Sequence, residues 1–178
     1  DLTTRAFVDG GFATADAAKC DVGFRTRDEV LIGTDFGPGS LTDSGYPRVV
    51  RSWKRGTPLE SAKVVFEVEA GDISGSMYTY HDRGHVHEFQ LRQKTFYSSE
   101  QWYRSPDLSL AAADDPTPFV KLDLPEDTNL STFGDRGVLL LRSDWSPPGA
   151  GRSFAAGSLL AAPLADVLDG DWGKVTAL

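Results

Sequence analysis

The sequence predicts an all-β fold built from four-stranded antiparallel sheets. Its 18 glycines and 10 prolines fall between short runs rich in valine, isoleucine, leucine and aromatic residues, which is the pattern of strands joined by turns. Signals for helix starts and ends are scarce. The runs also fall into three groups of about 50 residues, each with four candidate strands. A repeat of that length with four strands is typical of the blades of a β-propeller.

Individual elements follow from alternation and composition. In residues 85–92 the odd-numbered side chains share one face of a strand and the even-numbered side chains share the other. Residues 137–142 hold a Val-Leu-Leu-Leu run, which is typical of a strand buried on both faces. One short helix is predicted at residues 164–168, where Gly170 would end it. The other predicted strands are residues 48–53, 63–68, 74–80, 96–103 and 158–162.

Two turns are predicted from their residue types. Asp82, Arg83 and Gly84 lie between two predicted strands and would close a hairpin. Gly45 precedes a Tyr-Pro pair, and we expect it to adopt a turn conformation in which a Cβ atom would be costly.

The three groups predict propeller blades at residues 19–66, 72–122 and 130–175. No shared dipeptide marks the groups, so the prediction depends on strand spacing alone. An ordinary antiparallel sandwich or barrel fits the same spacing and is the alternative.

Composition restricts the class of protein. The net charge is −8 and the pI is near 4.8, whereas a binder of duplex nucleic acid needs a basic surface. No apolar run approaches the roughly 18 residues of a membrane span. Cys20 is the single cysteine, so no internal disulfide can form, which fits a reducing compartment such as the cytoplasm. The chain begins at Asp1 rather than methionine, which suggests processing or a piece of a longer protein.

No serine lies in the pattern of a hydrolase nucleophile. A nucleophile elbow requires Gly-x-Ser-x-Gly, because the serine must occupy a tight, strained turn. The nearest stretch, residues 71–75, reads Gly-Asp-Ile-Ser-Gly and has the wrong spacing. His81, His85 or His87 would be the base of a triad assembled from distant residues, but nothing selects among them. We therefore predict no catalytic residue.

A pair of histidines suggests a metal. His85 and His87 share one strand face, with His81, Asp82 and Glu88 nearby, and zinc takes three or four such ligands. Histidines that merely decorate a hairpin explain the same pattern. We predict no metal ligand and no cofactor, and keep a metal-dependent enzyme using His85 and His87 as an alternative.

The basic cluster of Arg48, Arg51, Lys54 and Arg55 is the one positive patch of an acidic sequence. Binding of single-stranded nucleic acid would require a wider basic surface with aromatic platforms, so we predict a solvated strand face with local salt bridges. Residues 37–40 read Gly-Pro-Gly-Ser but lack the lysine and the helix of a phosphate-binding loop.

Several longer motifs point to a family. The most specific is Leu-Thr-x-Ser-Gly-Tyr-Pro at residues 41–47, followed by Trp-Lys-Arg-Gly at residues 53–56. Related motifs span nearly the whole chain and lie at residues 3–7, 10–12, 122–127, 141–145 and 156–160. Together they resemble the propeller portion of bacterial serine peptidases of the prolyl oligopeptidase family.

The resemblance implies a seven-bladed propeller that caps an α/β-hydrolase domain and narrows access to it. The hydrolase domain of that family carries a Ser-Asp-His triad and cleaves short peptides, typically after proline. No stretch of this chain resembles that domain, so the family's catalytic residues have no positions here. We expect about three blades that filter peptide substrates and are inactive alone.

The expected partners follow from the same resemblance. They are the catalytic α/β-hydrolase domain of the parent protein, short peptides, and other copies of the chain through open blade faces. Neither nucleic acid nor a membrane is expected as a partner. A self-contained all-β protein-interaction module is the alternative function.

Overall fold

The computed structural model describes residues 2–14 and 17–178. Their strands form three four-stranded antiparallel sheets, with one six-residue α-helix. The predicted all-β fold class is therefore confirmed, while the blade boundaries stay a prediction. The chain divides into two compact units, Asp1–Tyr78 with Asp107–Asp115, and Thr79–Pro106 with Pro116–Leu178.

The first sheet lies in the first unit, and each of its strands pairs with the next one along the chain. Every residue of its second strand is buried, because a central strand with both faces covered can hold a continuous apolar run. Its strands are β1 (Asp21–Thr26), β2 (Glu29–Gly33), β3 (Val49–Lys54) and β4 (Lys63–Glu67).

Strand register collects large apolar side chains on one face of the first sheet. Val30 opposes Trp53, and Ile32 opposes Arg51, so these four residues share a face. Val30, Ile32 and Trp53 form a buried cluster. The partly buried residues packed against this cluster are Phe12, Phe36, Leu59 and Ala62.

The loop between β2 and β3 contains the turn predicted at Gly45. This glycine has φ of 72°, in the left-handed region that disfavours a Cβ atom. Its N–H donates to the carbonyl of Thr42 at 2.8 Å. The turn prediction is therefore confirmed.

The second sheet has the strand order β5-β6-β7-β8. A two-residue turn joins its first two strands, and Arg83 and Gly84 both have positive φ, 49° and 82°. Two successive positive φ values are what a type I′ hairpin turn requires, so the predicted turn is confirmed. The strands are β5 (Ser74–Asp82), β6 (His85–Gln93), β7 (Ser99–Arg104) and β8 (Val120–Lys121).

Strand β7 begins later than predicted. Residues 96–103 were expected to form one aromatic strand, but Phe96 and Tyr97 are exposed and belong to the preceding turn. The N–H groups of Lys94 and Thr95 both donate to the carbonyl of Ser98, which closes that turn. Aromatic content alone therefore overestimated the length of the strand.

The third sheet lies in the second unit in the order β12-β11-β10-β9. The helix α1 (Leu164–Asp169) follows β11 and ends at Gly170, whose φ is 68°, as predicted. No helix among the described residues is long and apolar enough to cross a membrane. The strands are β9 (Asn129–Phe133), β10 (Arg136–Leu140), β11 (Leu159–Pro163) and β12 (Thr176–Ala177).

Candidate functional site

A buried ion cluster holds residues 107–115 within the first unit. Arg25 on β1 has no solvent exposure. Its guanidinium lies 3.2 Å from a carboxylate oxygen of Glu29 and 2.9 Å from one of Asp115. The same guanidinium donates to the carbonyls of Asp107 and Leu110. One cation thus joins two carboxylates and two loop carbonyls.

The carboxylates of this cluster have further donors. Glu29 accepts hydrogen bonds from the hydroxyl of Ser52 and, at 2.8 Å, from the N–H of Ala112. Asp115 accepts from the N–H of Asp107 at 3.0 Å. Buried charges that are paired and hydrogen-bonded in this way stabilise one arrangement of a loop. The cluster is well suited to positioning a loop and leaves little scope for proton transfer.

A second buried pair lies in the second unit. Glu88 and Arg104 oppose each other on β6 and β7, and the Arg104 Nε donates to Glu88 at 2.6 Å. Glu88 also accepts from the hydroxyl of Thr79. The Arg104 guanidinium lies over the ring of Phe119. The even-numbered face of β6 is thus buried at Glu88.

The histidines of the predicted hairpin lie in different environments. His85 is exposed, while His87 is buried and lies in a stacked arrangement with it. Both ring nitrogens of His87 are engaged, Nδ1 with the hydroxyl of Tyr103 at 3.0 Å and Nε2 with the carbonyl of Gly134 at 2.8 Å. Among the described residues, no group of three or more metal-ligating side chains exists.

The hydrogen bonds of His87 define its proton position. A carbonyl only accepts, so Nε2 carries the proton and Nδ1 accepts from Tyr103. Burial lowers the pKa of His87, partly offset by the bond to Gly134. Burial also raises the pKa of Tyr103, so its hydroxyl remains a donor.

The same loop residue binds the end of strand β5. The N–H of Gly134 donates to the carboxylate of Asp82, and this hydrogen bond is the main cause that lowers the pKa of that carboxyl.

A cleft of the first unit lies on the apolar face of the first sheet. Its volume is about 810 Å³, and Arg51 and Trp53 contribute to its wall. The Arg51 guanidinium lies 4.2 Å from the centre of the Phe36 ring. Thr34, Asp35, Leu59 and Glu60 also line it.

The basic cluster separates into different environments. Arg48 pairs with Glu67, and Arg55 pairs with Asp28 at 3.0 Å, as expected of a strand face with local salt bridges. Lys54 is exposed. Arg51 differs from the other three because it lines the cleft.

The serine of the stretch at residues 71–75 is an ordinary strand residue. Ser74 is the first residue of β5 and is half-buried. A Cβ atom on the following Gly75 would approach Val68 to 2.9 Å, so that glycine allows close packing. The stretch does not form the strand-to-helix turn that a nucleophile elbow requires.

Sequence reasoning missed the buried arginine–glutamate pairs. Charged residues are mostly exposed, and their burial here depends on partners far along the chain. One local signal existed, since Glu29 directly precedes the apolar run Val30–Ile32, at the start of a strand that is buried throughout.

Comparison with known proteins identifies peptidases as relatives. The chain is 27% identical to an uncharacterized peptidase of Rickettsia prowazekii over 99% of its own length. It is 26% identical to an uncharacterized peptidase of Sinorhizobium fredii over 90% of its length. It spans about a quarter of the first relative and 22% of the second. No model of a protein family matches the chain.

The fold matches part of a solved peptidase structure. All of the chain superposes on 26% of a post-proline cleaving enzyme from Rickettsia typhi, with a TM-score of 0.83 and 25% sequence identity. The resemblance predicted from the motifs at residues 41–47 and 53–56 is therefore confirmed at the level of sequence relatives and of fold.

Proposed function

We propose that this chain, which is related in sequence and fold to one quarter of a post-proline cleaving peptidase, forms part of a β-propeller that limits the access of peptides to a catalytic domain. The observation that carries the proposal is the match of the whole chain, with a TM-score of 0.83, to a part of that enzyme. The three four-stranded sheets are the units from which propellers are built.

Filtering requires a rigid wall, and the buried ion pairs supply rigidity. Arg25 fixes residues 107–115 through two carboxylates and two carbonyls. Glu88 and Arg104 join β6 to β7 in the second unit. Separating either ion pair costs a large amount of free energy, because it leaves an uncompensated buried charge.

The charge of the chain adds a weak preference. A net charge of −8 favours the approach of neutral and cationic peptides over acidic ones. The effect is limited to about 8–10 Å at physiological salt. We therefore propose that the propeller excludes substrates mainly by their size and only secondarily by their charge.

The proposal also covers the catalytic domain, the substrates and the cellular compartment. The catalytic domain that the propeller serves would be an α/β-hydrolase with a serine nucleophile, the substrates would be short peptides, and the compartment would be the cytoplasm. The single cysteine, Cys20, is free and exposed, which is compatible with a reducing compartment.

A chimera tests the proposal. The matching quarter of the Rickettsia typhi enzyme is replaced by this chain, and cleavage of a short proline-containing chromogenic peptide is compared with cleavage of a folded protein that has exposed proline sites. We expect the chimera to retain peptide cleavage and to spare the folded protein. A folded chimera that cleaves both substrates equally would contradict the filtering role, and the native enzyme is the matched control.

A further inference from the structure

Arg51 is a cation with an incomplete set of hydrogen bonds. Its Nε atom is buried and has no hydrogen-bond partner, and no ion pair of the described residues includes Arg51. The other two arginines of the basic cluster, Arg48 and Arg55, both have carboxylate partners. A guanidinium remains charged at every pH a protein tolerates. Arg51 can therefore donate a hydrogen bond to an additional acceptor, preferably an anionic one.

The surroundings hold this cation in place. The ring of Phe36 lies 4.2 Å from the guanidinium, and such cation–π contacts fix the plane of an arginine. Arg51 stands on β3, opposite Ile32 of the buried strand β2. The fork of N–H donors is therefore presented from a rigid sheet into the cleft.

The acidic residues of the cleft do not satisfy Arg51. The carboxylate of Asp35 accepts from the N–H of Gly37 at 2.8 Å and from the hydroxyl of Ser40 at 3.2 Å. Glu60 lines the cleft but is exposed to solvent. Both carboxylates lower the affinity of the cleft for a doubly charged anion such as phosphate.

The remaining wall combines threonines with apolar side chains. Trp53, Leu59 and Pro58 form its apolar part, and a volume of about 810 Å³ is in the range of small-ligand sites. A fitting ligand therefore combines one negative charge with an apolar body. A planar carboxylate accepts two parallel hydrogen bonds from a guanidinium, which a single neutral acceptor cannot do.

We propose that this cleft binds the terminal carboxylate of a short peptide whose last side chain is apolar. Arg51 holds the carboxylate, and Trp53 and Leu59 contact the side chain. The inference concerns binding by this chain alone and does not depend on peptide hydrolysis or on a catalytic domain.

The test uses the ¹⁵N-labelled 178-residue chain and two small probes. N-acetyl-L-phenylalanine carries the carboxylate, and N-acetyl-L-phenylalaninamide is the neutral control of the same shape. The Nε–Hε signal of arginine is observed directly by NMR, and Arg51→Gln identifies the signal of Arg51. We expect the acid to shift this signal and to bind about tenfold or more tightly than the amide, as a charge-assisted pair requires. Inorganic phosphate should bind more weakly than the acid.

Charge variants make the proposal falsifiable. Arg51→Gln should abolish the preference for the acid, and Arg51→Lys should keep part of it, because lysine retains the charge without the fork. Glu60→Gln should strengthen binding of the acid several-fold. Lys54→Gln removes the same charge from the same strand outside the cleft and should change nothing, with the dispersion of the amide spectrum as the folding check. Equal binding of acid and amide, or equal losses in Arg51→Gln and Lys54→Gln, would overturn the proposal.

Discussion

Arg25 and Asp115 are 90 positions apart in the chain, yet their side chains meet at 2.9 Å with no exposure of either to solvent. The contact places residues 107–115 in the same compact unit as the first sheet. Asp115 is the distant member of a cluster whose other carboxylate, Glu29, is only four positions from Arg25. Arg25 therefore links the loop to β1 through one near and one distant carboxylate.

The first prediction concerns that cation. Arg25→Met leaves Glu29 and Asp115 buried without their counter-charge, so we expect the free energy of unfolding to fall by roughly 3–5 kcal/mol. Urea unfolding followed by far-UV circular dichroism measures the loss. Arg55→Met is the matched control, because its partner Asp28 is exposed to solvent, so this ion pair should contribute about 1 kcal/mol or less. Equal losses in the two variants would show that burial of the cluster does not matter.

The cluster also shows which structural features the sequence predicts and which it does not. Local patterns predicted seven of the twelve strands, the hairpin turn at Arg83 and Gly84, and the end of the helix at Gly170, because neighbouring residues determine these features. The pairing of Arg25 with Asp115 depends on which distant segments meet, and nothing local records it. The same holds for the environment of Arg51, whose distinction from Arg48 and Arg55 arises from strand register and from Phe36.

The second prediction concerns the turn before β3. Gly45 has φ of 72°, so Gly45→Val should destabilise the chain by roughly 1–3 kcal/mol through backbone strain. Gly45→Asn should cost less, because asparagine tolerates the left-handed region better. Gly71→Ala is the control, since a Cβ atom there meets nothing within 4 Å. Unchanged unfolding midpoints for Gly45→Val would contradict the strain argument.

The third prediction is a dependence of stability on pH. Burial lowers the pKa of His87 below its ordinary value of 6.5, so the folded chain binds a proton at this site less readily than the unfolded chain. The stability contributed by neutral His87 is fully present above pH 6.5 and declines as the pH falls from 6.5 through the lowered pKa. Thermal unfolding midpoints between pH 7.5 and 5 should record this decline.

A variant isolates the histidine responsible. His87→Gln removes the titrating group, and the decline in unfolding midpoint between pH 6.5 and 5 should become shallower. His85→Gln is the control, because His85 is exposed on the same strand. The same slope in all three proteins would show that His87 does not cause the dependence.

The fourth prediction is catalytic inertness of the chain alone. Ser74 begins a strand, and neither ring nitrogen of His87 is free to activate a nucleophile. We expect no hydrolysis of a proline-containing chromogenic peptide and no stoichiometric labelling by a fluorophosphonate probe. Labelling of one serine, located by mass spectrometry, would reveal a nucleophile outside the Gly-x-Ser-x-Gly pattern and would contradict the prediction.

The last prediction follows from an apolar surface of the first sheet. Val22 and Phe24 on β1 share the face of Ile32 and Val30, and both are about half exposed, at 49% and 57%. Val64 on β4 opposes Arg51 and is 52% exposed. This face therefore presents apolar side chains on both edges of the sheet.

Exposed apolar faces of this kind tend to find a partner, and in the proposed propeller a neighbouring blade would supply it. In the isolated chain we propose that a second copy contacts Val22, Phe24 and Val64, which lie outside the wall of the Arg51 cleft, so light scattering should show a molar mass that rises with concentration. Phe24→Glu should shift the chain towards the monomer, because it would place a charge in the contact. Tyr97→Glu is the matched control, since Tyr97 is exposed in a turn of the second unit. A chain that stays monodisperse and monomeric at high concentration and melts cooperatively would argue for a self-contained all-β module instead of an open set of blades.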